Sequence, residues 1–586
     1  PMEPTVELPR LKADRRHDID ALRAFAMLLG IGLHAALAYS GKPWLVIDAR
    51  HADFFYWFFS AVHGFRMQLF FLVSGYFTAL MVSRRGLWAM LNNRAARILV
   101  PALLGLATIV QLSSKVGDWA MGWNMRHPGT ALTGAVVRGE NDRIGPLLYA
   151  GADIDEPEPR LKMRPLAWAV MIGNDEAVQL LLDRGADPNA AMPDGNTPLH
   201  TAAFTGRANL AKLLVAKGAD SGRTNSMGIN ALAATFADEA ITRLVYRFSM
   251  GKTEIDWARI QKGREEARAF LGARLVGDGL KSLFAKKDPP KPEQAASPKV
   301  DPVPEWLASY YRWMSSDRFQ VETLYGRVKL FDDATFGHLW FLWFLCWLAP
   351  AYAAWASLGQ GMADGLKIST ATAVWLSAAF TLVPQWLMGT DRNPFDLQSM
   401  VGPETSSGVL PKPHVLAYYA IFFFFGTWLY GAPGSGGRLG AGWKIWIPVA
   451  VFAAFPLALA TQGQAPVNAV AQVAYTWLMV LGIIGVFERF ASRESRLARY
   501  VSDASYWMYL VHLPMVIAGQ LLLADWAAPA PVKCVVLLAG TMAILIASYQ
   551  LLVRHTAVGL FLNGPRPQEP TTSKLRSGND AGQELR

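Results

Sequence analysis

The sequence predicts an all-α protein: a ten-span transmembrane helical bundle into which a soluble α-helical repeat domain is inserted. Three observations predict it. The chain of 586 residues is 52% hydrophobic and only 17% charged, with a mean hydropathy of +0.19, too apolar for an ordinary soluble multidomain protein. Ten apolar runs are each long enough to cross a hydrocarbon core of ~30 Å, which takes roughly 20 helical residues. Between the third and fourth runs lies a long polar stretch with an internal step of 33 to 34 residues, the mark of stacked repeats.

In chain order the runs fall near 20–40, 56–82, 96–112, 338–357, 368–388, 414–430, 444–461, 467–487, 504–523 and 532–553. Residues 1–112 thus carry three spans and 336–560 carry seven. Cytoplasmic loops hold the excess of Lys and Arg. One set of short loops carries Lys12, Arg15, Arg16, Arg84, Arg85, Arg94, Arg97, Arg438, Arg489, Arg493, Arg496, Arg499 and Arg554, the other only Lys42, Arg50, Arg392, Lys412 and Lys533. This bias predicts both termini in the cytoplasm and the insert outside, which in a bacterial inner membrane means the periplasm. Arg15 and Arg16 before an apolar run ending in Ala36-Leu37-Ala38 also fit a cleaved leader. The span reading is preferred, because it retains the most informative polar residues of the chain.

Within the insert, Gly-Ala-Asp recurs at Gly151, Gly185 and Gly218, and the helix starts Ala131-Leu132, Pro165-Leu166, Pro198-Leu199 and Ala231-Leu232 keep the same step. The stretch Asn196-Thr197-Pro198-Leu199-His200-Thr201-Ala202 is close to the T-P-L-H-x-A signature, so residues 128–250 resemble four ankyrin repeats. Each repeat pairs two short helices whose apolar faces, such as Val178, Leu180, Leu181 and Leu182, need a stacked neighbour. His200 is read as the turn-forming histidine of that signature. Residues 251–335 are expected to hold a basic helix, a Pro- and Lys-rich linker from Lys286 to Pro304 and a pre-membrane segment, and 563–586 a disordered tail.

Composition also excludes function classes. The formal charge of +10 is dispersed between apolar runs and forms no basic stripe on a soluble domain, so no nucleic-acid partner is expected. Cys346 and Cys534 are isolated, which leaves no disulfide framework or cysteine metal site. The lipid bilayer is the expected partner of the spans.

Ionisable residues inside spans are costly to bury and are functional candidates by default. Arg23 and His34 lie eleven residues apart in the first span, about 20° from sharing one helix face and ~16 Å apart along it. The second span carries His63 and Arg66 in its outer half, at a depth similar to that of His34. Arg94 and Arg97 open the third span at i and i+3, a spacing that suits capture of phosphates; the plain reading is a pair of topology anchors. His338, at the outer interface, and His512, nearer the cytoplasmic half of the ninth span, are secondary candidates, since a lone histidine beside aromatics is usually a satisfied interfacial group. No metal site is expected.

With these residues the chain resembles the acyltransferase 3 family of ten-span bacterial membrane enzymes, in which Arg-x10-His marks the first span and Arg-x-x-Arg the third. The stretches HGFRMQLFFLVSGYF, GHLWFLWFL and SYWMYLVHLP look most like its glucan biosynthesis protein C branch, the succinyltransferases of periplasmic glucans. The insert is a departure from that family. The resemblance implies transfer of an acyl group from a cytoplasmic acyl-CoA, used as a substrate with no bound cofactor, to a hydroxyl of a periplasmic or surface glycan. His34 would be the general base, with an ordinary imidazole value of ~6.5 suited to taking and returning a proton. Arg23, Arg94 and Arg97 would hold donor phosphates, and His63 and Arg66 would complete the site. The repeats would bind a protein or glycan partner. The competing reading is a glycan or lipid transporter or flippase without chemistry, whose intramembrane Arg and His line a pathway; the span pattern shows no inverted repeat in its favour. A receptor or scaffold would need fewer spans.

Overall fold

An apolar run can cross lipid only if every backbone N–H and C=O is satisfied within it, which leaves the helix as the solution for a single run. Ten helices among the described residues are long and apolar enough to do so: His17–Leu37, Asp53–Arg85, Leu87–Trp123, Gly337–Leu358, Thr370–Met388, Pro413–Gly431, Trp443–Ala460, Pro466–Phe490, Arg496–Ala524 and Ala530–Val553. The computed structural model describes residues 16–563 except 43, 127–128, 160, 251–253, 285–304, 315, 324–325, 332–335, 359–367, 389–400, 432–438, 463 and 494. The Pro- and Lys-rich linker, the tail after Asn563, and Lys12, Arg15, Arg392 and Arg438 of the charge argument lie outside the described residues.

The second and third spans differ from their expected form. The second breaks at Gly64 and Phe65 into helices Asp53–His63 and Arg66–Arg85. A break in a dry core exposes carbonyls, and side chains take them up: Gln68 Nε2 (3.1 Å) and Thr476 Oγ1 (2.7 Å) donate to the Gly64 oxygen, and the Tyr475 hydroxyl donates to the Ala61 oxygen (2.8 Å). The third span was expected to end near 112, yet its helix continues to Arg126. Its continuation is amphipathic, which averages out in a hydropathy scan; Val116, Ala120 and Trp123, at i, i+4 and i+7, join the membrane core. From Leu87 to Arg126 it is roughly 60 Å long, twice the hydrocarbon thickness.

The second and sixth spans approach most closely where small residues allow it. A β-carbon at Gly75 would collide with the Phe423 carbonyl, and one at Gly426 with the Leu72 carbonyl. Such glycine contacts let helix backbones meet without a hydrophobic drive.

The insert builds its own core, separate from that of the bundle. Four helix pairs stack in order: Ala131–Arg138 with Asn141–Tyr149, Pro165–Ile172 with Asp175–Asp183, Pro198–Phe204 with Ala208–Ala216, and Ala231–Ala234 with Glu239–Met250. His200 accepts the Thr197 amide at Nδ1 (3.2 Å) and donates from Nε2 to the Ile229 oxygen in the following repeat (3.0 Å). The basic helix that follows the repeats, Trp257–Phe284, packs on the third and fourth pairs. The reason is Arg264, fully buried, which donates to the Phe204 (2.8 Å) and Ala237 (2.6 Å) oxygens and to Thr242 Oγ1 (2.9 Å). The helix therefore closes the exposed end of the stack, as terminal repeats require.

The stack is joined to the third span by Arg247, whose Nη2 lies 2.9 Å from Asp118 Oδ1 and 3.2 Å from Ser114 Oγ. A two-stranded antiparallel hairpin, Gln320–Thr323 with Gly326–Lys329, precedes the fourth span.

Candidate functional site

The first span organises two polar clusters, one at its Arg16 end and one at the end from which the insert leaves. At the Arg16 end Arg23 donates from Nη2 to Ser502 Oγ (2.9 Å) and lies over the Phe77 ring. Arg94 reaches Thr78 Oγ1 from Nη2 (2.7 Å), while its Nε is buried without a hydrogen-bond partner. The charges of Arg23 and Arg97 both bear on the Arg94 guanidinium. Among the described residues no carboxylate is within ion-pair distance of Arg23, Arg94 or Arg97. A π-helical turn, Ala95–Leu99, follows Arg94; its residues rotate less than the ~100° each of an α-helix, so three of them sweep less than about 300° and set Arg97 further round the helix from Arg94. Arg97 also feels the Arg85 charge, and its backbone carbonyl accepts the Tyr506 hydroxyl (2.7 Å).

At the insert end His34 meets two other histidines. Its Nδ1 is 2.8 Å from His512 Nε2, with the two rings stacked at 5.0 Å. His338 stands edge-on to His512 at 5.5 Å and donates from Nε2 to the Leu510 oxygen (3.2 Å). That oxygen is available because Pro514, four residues on, has no N–H to donate to it. The Tyr509 hydroxyl donates to the His338 carbonyl.

These positions correct the two expected depths. His512 is level with His34, not nearer the Arg496 end, because the ninth span begins at Arg496, a full two turns before the expected 504. His338 is buried within the cluster, not at an interface, because the turn Gly337–Leu339 carries it inward ahead of the fourth span.

Arg66 follows from the helix break. Leaving Phe65 as the cap, the chain re-enters a helix at Arg66 and lays the guanidinium against the first span one turn below His34, where a β-carbon at Gly30 would collide with Nη1. Arg66 is 7% exposed, and its Nε has no hydrogen-bond partner. A buried cation with an unsatisfied donor calls for an anionic or carbonyl partner. His63 lies nearby but is committed elsewhere, donating from Nε2 to the Pro403 oxygen (2.9 Å) and stacking on Phe59. Gly402 makes room for it: its φ is +137°, and a β-carbon there would strike the imidazole.

Several supporting residues had no signal in the sequence reading. Gln520 donates to the His34 oxygen (2.9 Å) and accepts from Trp44 Nε1 (3.1 Å), and Trp44 stacks on the His34 ring at 6.0 Å. The loop carrying Trp44 is anchored by Asp48, whose Oδ2 lies 2.8 Å from Lys533 Nζ. Glu404 is buried between Lys412 Nζ (2.6 Å) and His414 Nε2 (3.3 Å), and the far nitrogen of His414 meets the Tyr310 hydroxyl (3.1 Å). Burial pushes the Glu404 carboxyl up, but the His414 hydrogen bond and the Lys412 charge outweigh it and hold it below the ordinary value. Among the described residues no three His, Cys, Asp or Glu side chains converge to hold a metal ion.

A family model described as an acyltransferase domain matches residues 16–142 and 298–550, and one described as ankyrin repeats, in three copies, matches 132–225. The chain is similar to Protein PhlB of Serratia liquefaciens, 38% identical over 150 residues that cover 24% of this chain and 64% of that protein. It is also similar to Glucans biosynthesis protein C of Escherichia coli K12, 32% identical over 120 residues, 20% of this chain and 31% of that one. The chain spans less than two thirds of either relative. Among solved structures, the ankyrin repeat domain of Bcl-3 is 36% identical over 20% of this chain and 51% of its own, with a TM-score of 0.18.

Proposed function

The chain belongs to the acyltransferase domain family, and from that premise we propose that it moves an acyl group, succinyl by the resemblance of its motifs, from a cytoplasmic acyl-CoA to a hydroxyl of a periplasmic or surface glycan. The observation that carries the reading is the pair of polar clusters on one span. Arg23 and Arg94 form a cationic site with no carboxylate to balance it among the described residues, as a phosphate-bearing donor requires. His34 sits ~16 Å along the same helix. A donor held by its phosphates at one cluster would reach the other only through a long, thin arm, which is what the pantetheine of an acyl-CoA provides.

At the reacting end the acceptor hydroxyl oxygen attacks the thioester carbonyl carbon while His34 takes its proton. The new carbon–oxygen bond forms as negative charge gathers on the carbonyl oxygen, and Arg66, whose Nε lacks a protein partner, is placed to receive that charge. When the carbon–sulfur bond breaks, the thiolate leaves with the proton that His34 held. Ester and free thiol result, and the enzyme returns to its starting state.

This reading puts the Arg16 end of the bundle in the cytoplasm and the insert in the periplasm of the inner membrane. There the repeats would dock a protein partner or present the glycan. The test is mass spectrometry of periplasmic and surface glycans from cells with and without the gene, paired with transfer from labelled acyl-CoA into purified glycan by membranes containing the protein. A new acyl mass that tracks the gene is expected. Glycans of unchanged mass, with the protein present in the membrane, would overturn the proposal.

A further inference from the structure

The hydrogen bonds around His34 determine which of its nitrogens bears the lone pair. His512 Nδ1 is 2.6 Å from the Tyr509 carbonyl oxygen. A carbonyl oxygen can only accept, so Nδ1 of His512 must carry the hydrogen. A neutral imidazole has one N–H and one lone pair, so His512 Nε2 is an acceptor. The atom 2.8 Å from it is His34 Nδ1, which must therefore donate. By the same count His34 Nε2 is left with the lone pair. The Tyr509 carbonyl thus sets the tautomer of His34 at one remove, through His512.

The rings are held for this purpose from several sides. His34 lies between the His512 and Trp44 rings, and Gln520 ties Trp44 to the His34 carbonyl. His512 is fully buried, with His338 against its edge. Neither imidazole can turn over without breaking the hydrogen bond between the two rings.

We propose that His512 is a positioning residue that holds His34 as the Nδ1–H tautomer, presents its Nε2 lone pair as the base, and accepts a strengthened hydrogen bond from the imidazolium that forms when Nε2 takes a proton. It rests on the acyl-transfer reading for the identity of that proton. The Tyr509 carbonyl takes the orienting part that a buried carboxylate takes in a Ser-His-Asp triad, with His512 interposed.

The experiment compares wild type with His512→Phe, which keeps the ring and loses the acceptor, and His512→Gln, which restores an acceptor oxygen near the position of Nε2. Transfer from labelled acyl-CoA is measured alongside a readout that needs no turnover: modification of His34 by diethyl pyrocarbonate, which attacks an unprotonated ring nitrogen, followed by peptide mass spectrometry. In His512→Phe, kcat is expected to fall roughly a hundred- to ten-thousandfold, the scale of a wrong-tautomer defect, with the acyl-CoA KM within about twofold of wild type and His34 labelling at least about tenfold slower. His512→Gln is expected to recover most of both. Equal His34 labelling in all three proteins, no labelling of wild-type His34, or a Gln variant as impaired as the Phe variant would overturn the relay. Wild-type protein that labels as expected but transfers no acyl group would overturn the acyl-transfer reading and leave the relay standing.

Discussion

Removing the ammonium of Lys533 should destabilise the insert end of the bundle far more than removing it together with its partner. Lys533 Nζ lies 2.8 Å from Asp48 Oδ2, with side chains 1% and 3% exposed. It also donates to the Ala524 oxygen (3.0 Å), and Asp48 Oδ1 accepts the Arg50 amide (2.8 Å). In Lys533→Met the Asp48 carboxylate keeps one amide but loses its counter-ion in a site without solvent, and an orphaned buried charge of this kind costs about 3–5 kcal/mol. In Asp48→Leu combined with Lys533→Met both charges are gone. The remaining losses are a neutral hydrogen bond or two, about 1 kcal/mol each, so the double variant should lie within about 2 kcal/mol of wild type. Denaturant unfolding in detergent, followed by circular dichroism, gives the double-mutant cycle, with an expected coupling of at least about 2 kcal/mol. Because the same loop carries Trp44 against His34, acyl transfer should fall in the single variant and recover in the double. A Lys533→Met protein within about 1 kcal/mol of wild type, or a double variant as unstable as the single, would refute the reasoning.

His34→Ala should abolish acylation with the protein at its normal level in the membrane, as glycan mass spectrometry would read; near wild-type acylation would move the base to another residue. Arg94→Gln should raise the donor KM several-fold and Arg97→Gln less, since Arg94 is fixed on Thr78 under the Arg23 charge while the π-turn sets Arg97 further round the helix; steady-state kinetics in membranes would separate them, and equal effects would count against the π-turn argument. Glu404 has a native value below its unfolded one, so its contribution to stability is present above the ordinary value of 4.5 and is lost as pH falls through the lowered native value. Glu404→Gln should therefore be less stable than wild type at pH 7 and converge with it in acid, and unfolding midpoints that differ equally at both pH values would contradict this. Excision of 129–284, which removes the repeats together with the helix that caps them, should leave a folded bundle, whereas excision of 128–250 alone should expose the capping helix and aggregate; size-exclusion profiles in detergent distinguish the outcomes.

Three kinds of information were readable from the amino-acid order alone. Span number and position follow from length and hydropathy, because lipid accepts little else. The repeats follow from their period. Arg23, His34, His63, Arg66, Arg94 and Arg97 stand out because an ionisable residue in an apolar run is conspicuous on its own. What the sequence could not supply is which of these groups meet. His34 and His512 are separated by 478 positions, and their contact depends on how deep each helix sits. That depth was misjudged for His512 because the amphipathic start of the ninth span is invisible to a hydropathy average. The same averaging hid the extension of the third span to Arg126. The Asp48–Lys533 and Glu404–His414 pairs were hidden for a related reason: in sequence each looks like a loop charge, and only packing removes the solvent that would make it unremarkable. Above all, the tautomer of His34 is a property of a chain of contacts. Hydrogen bonds between side chains of different helices are short-ranged and directional, so the residue types declare the candidates while the tertiary structure decides which nitrogen of which ring is left with a lone pair.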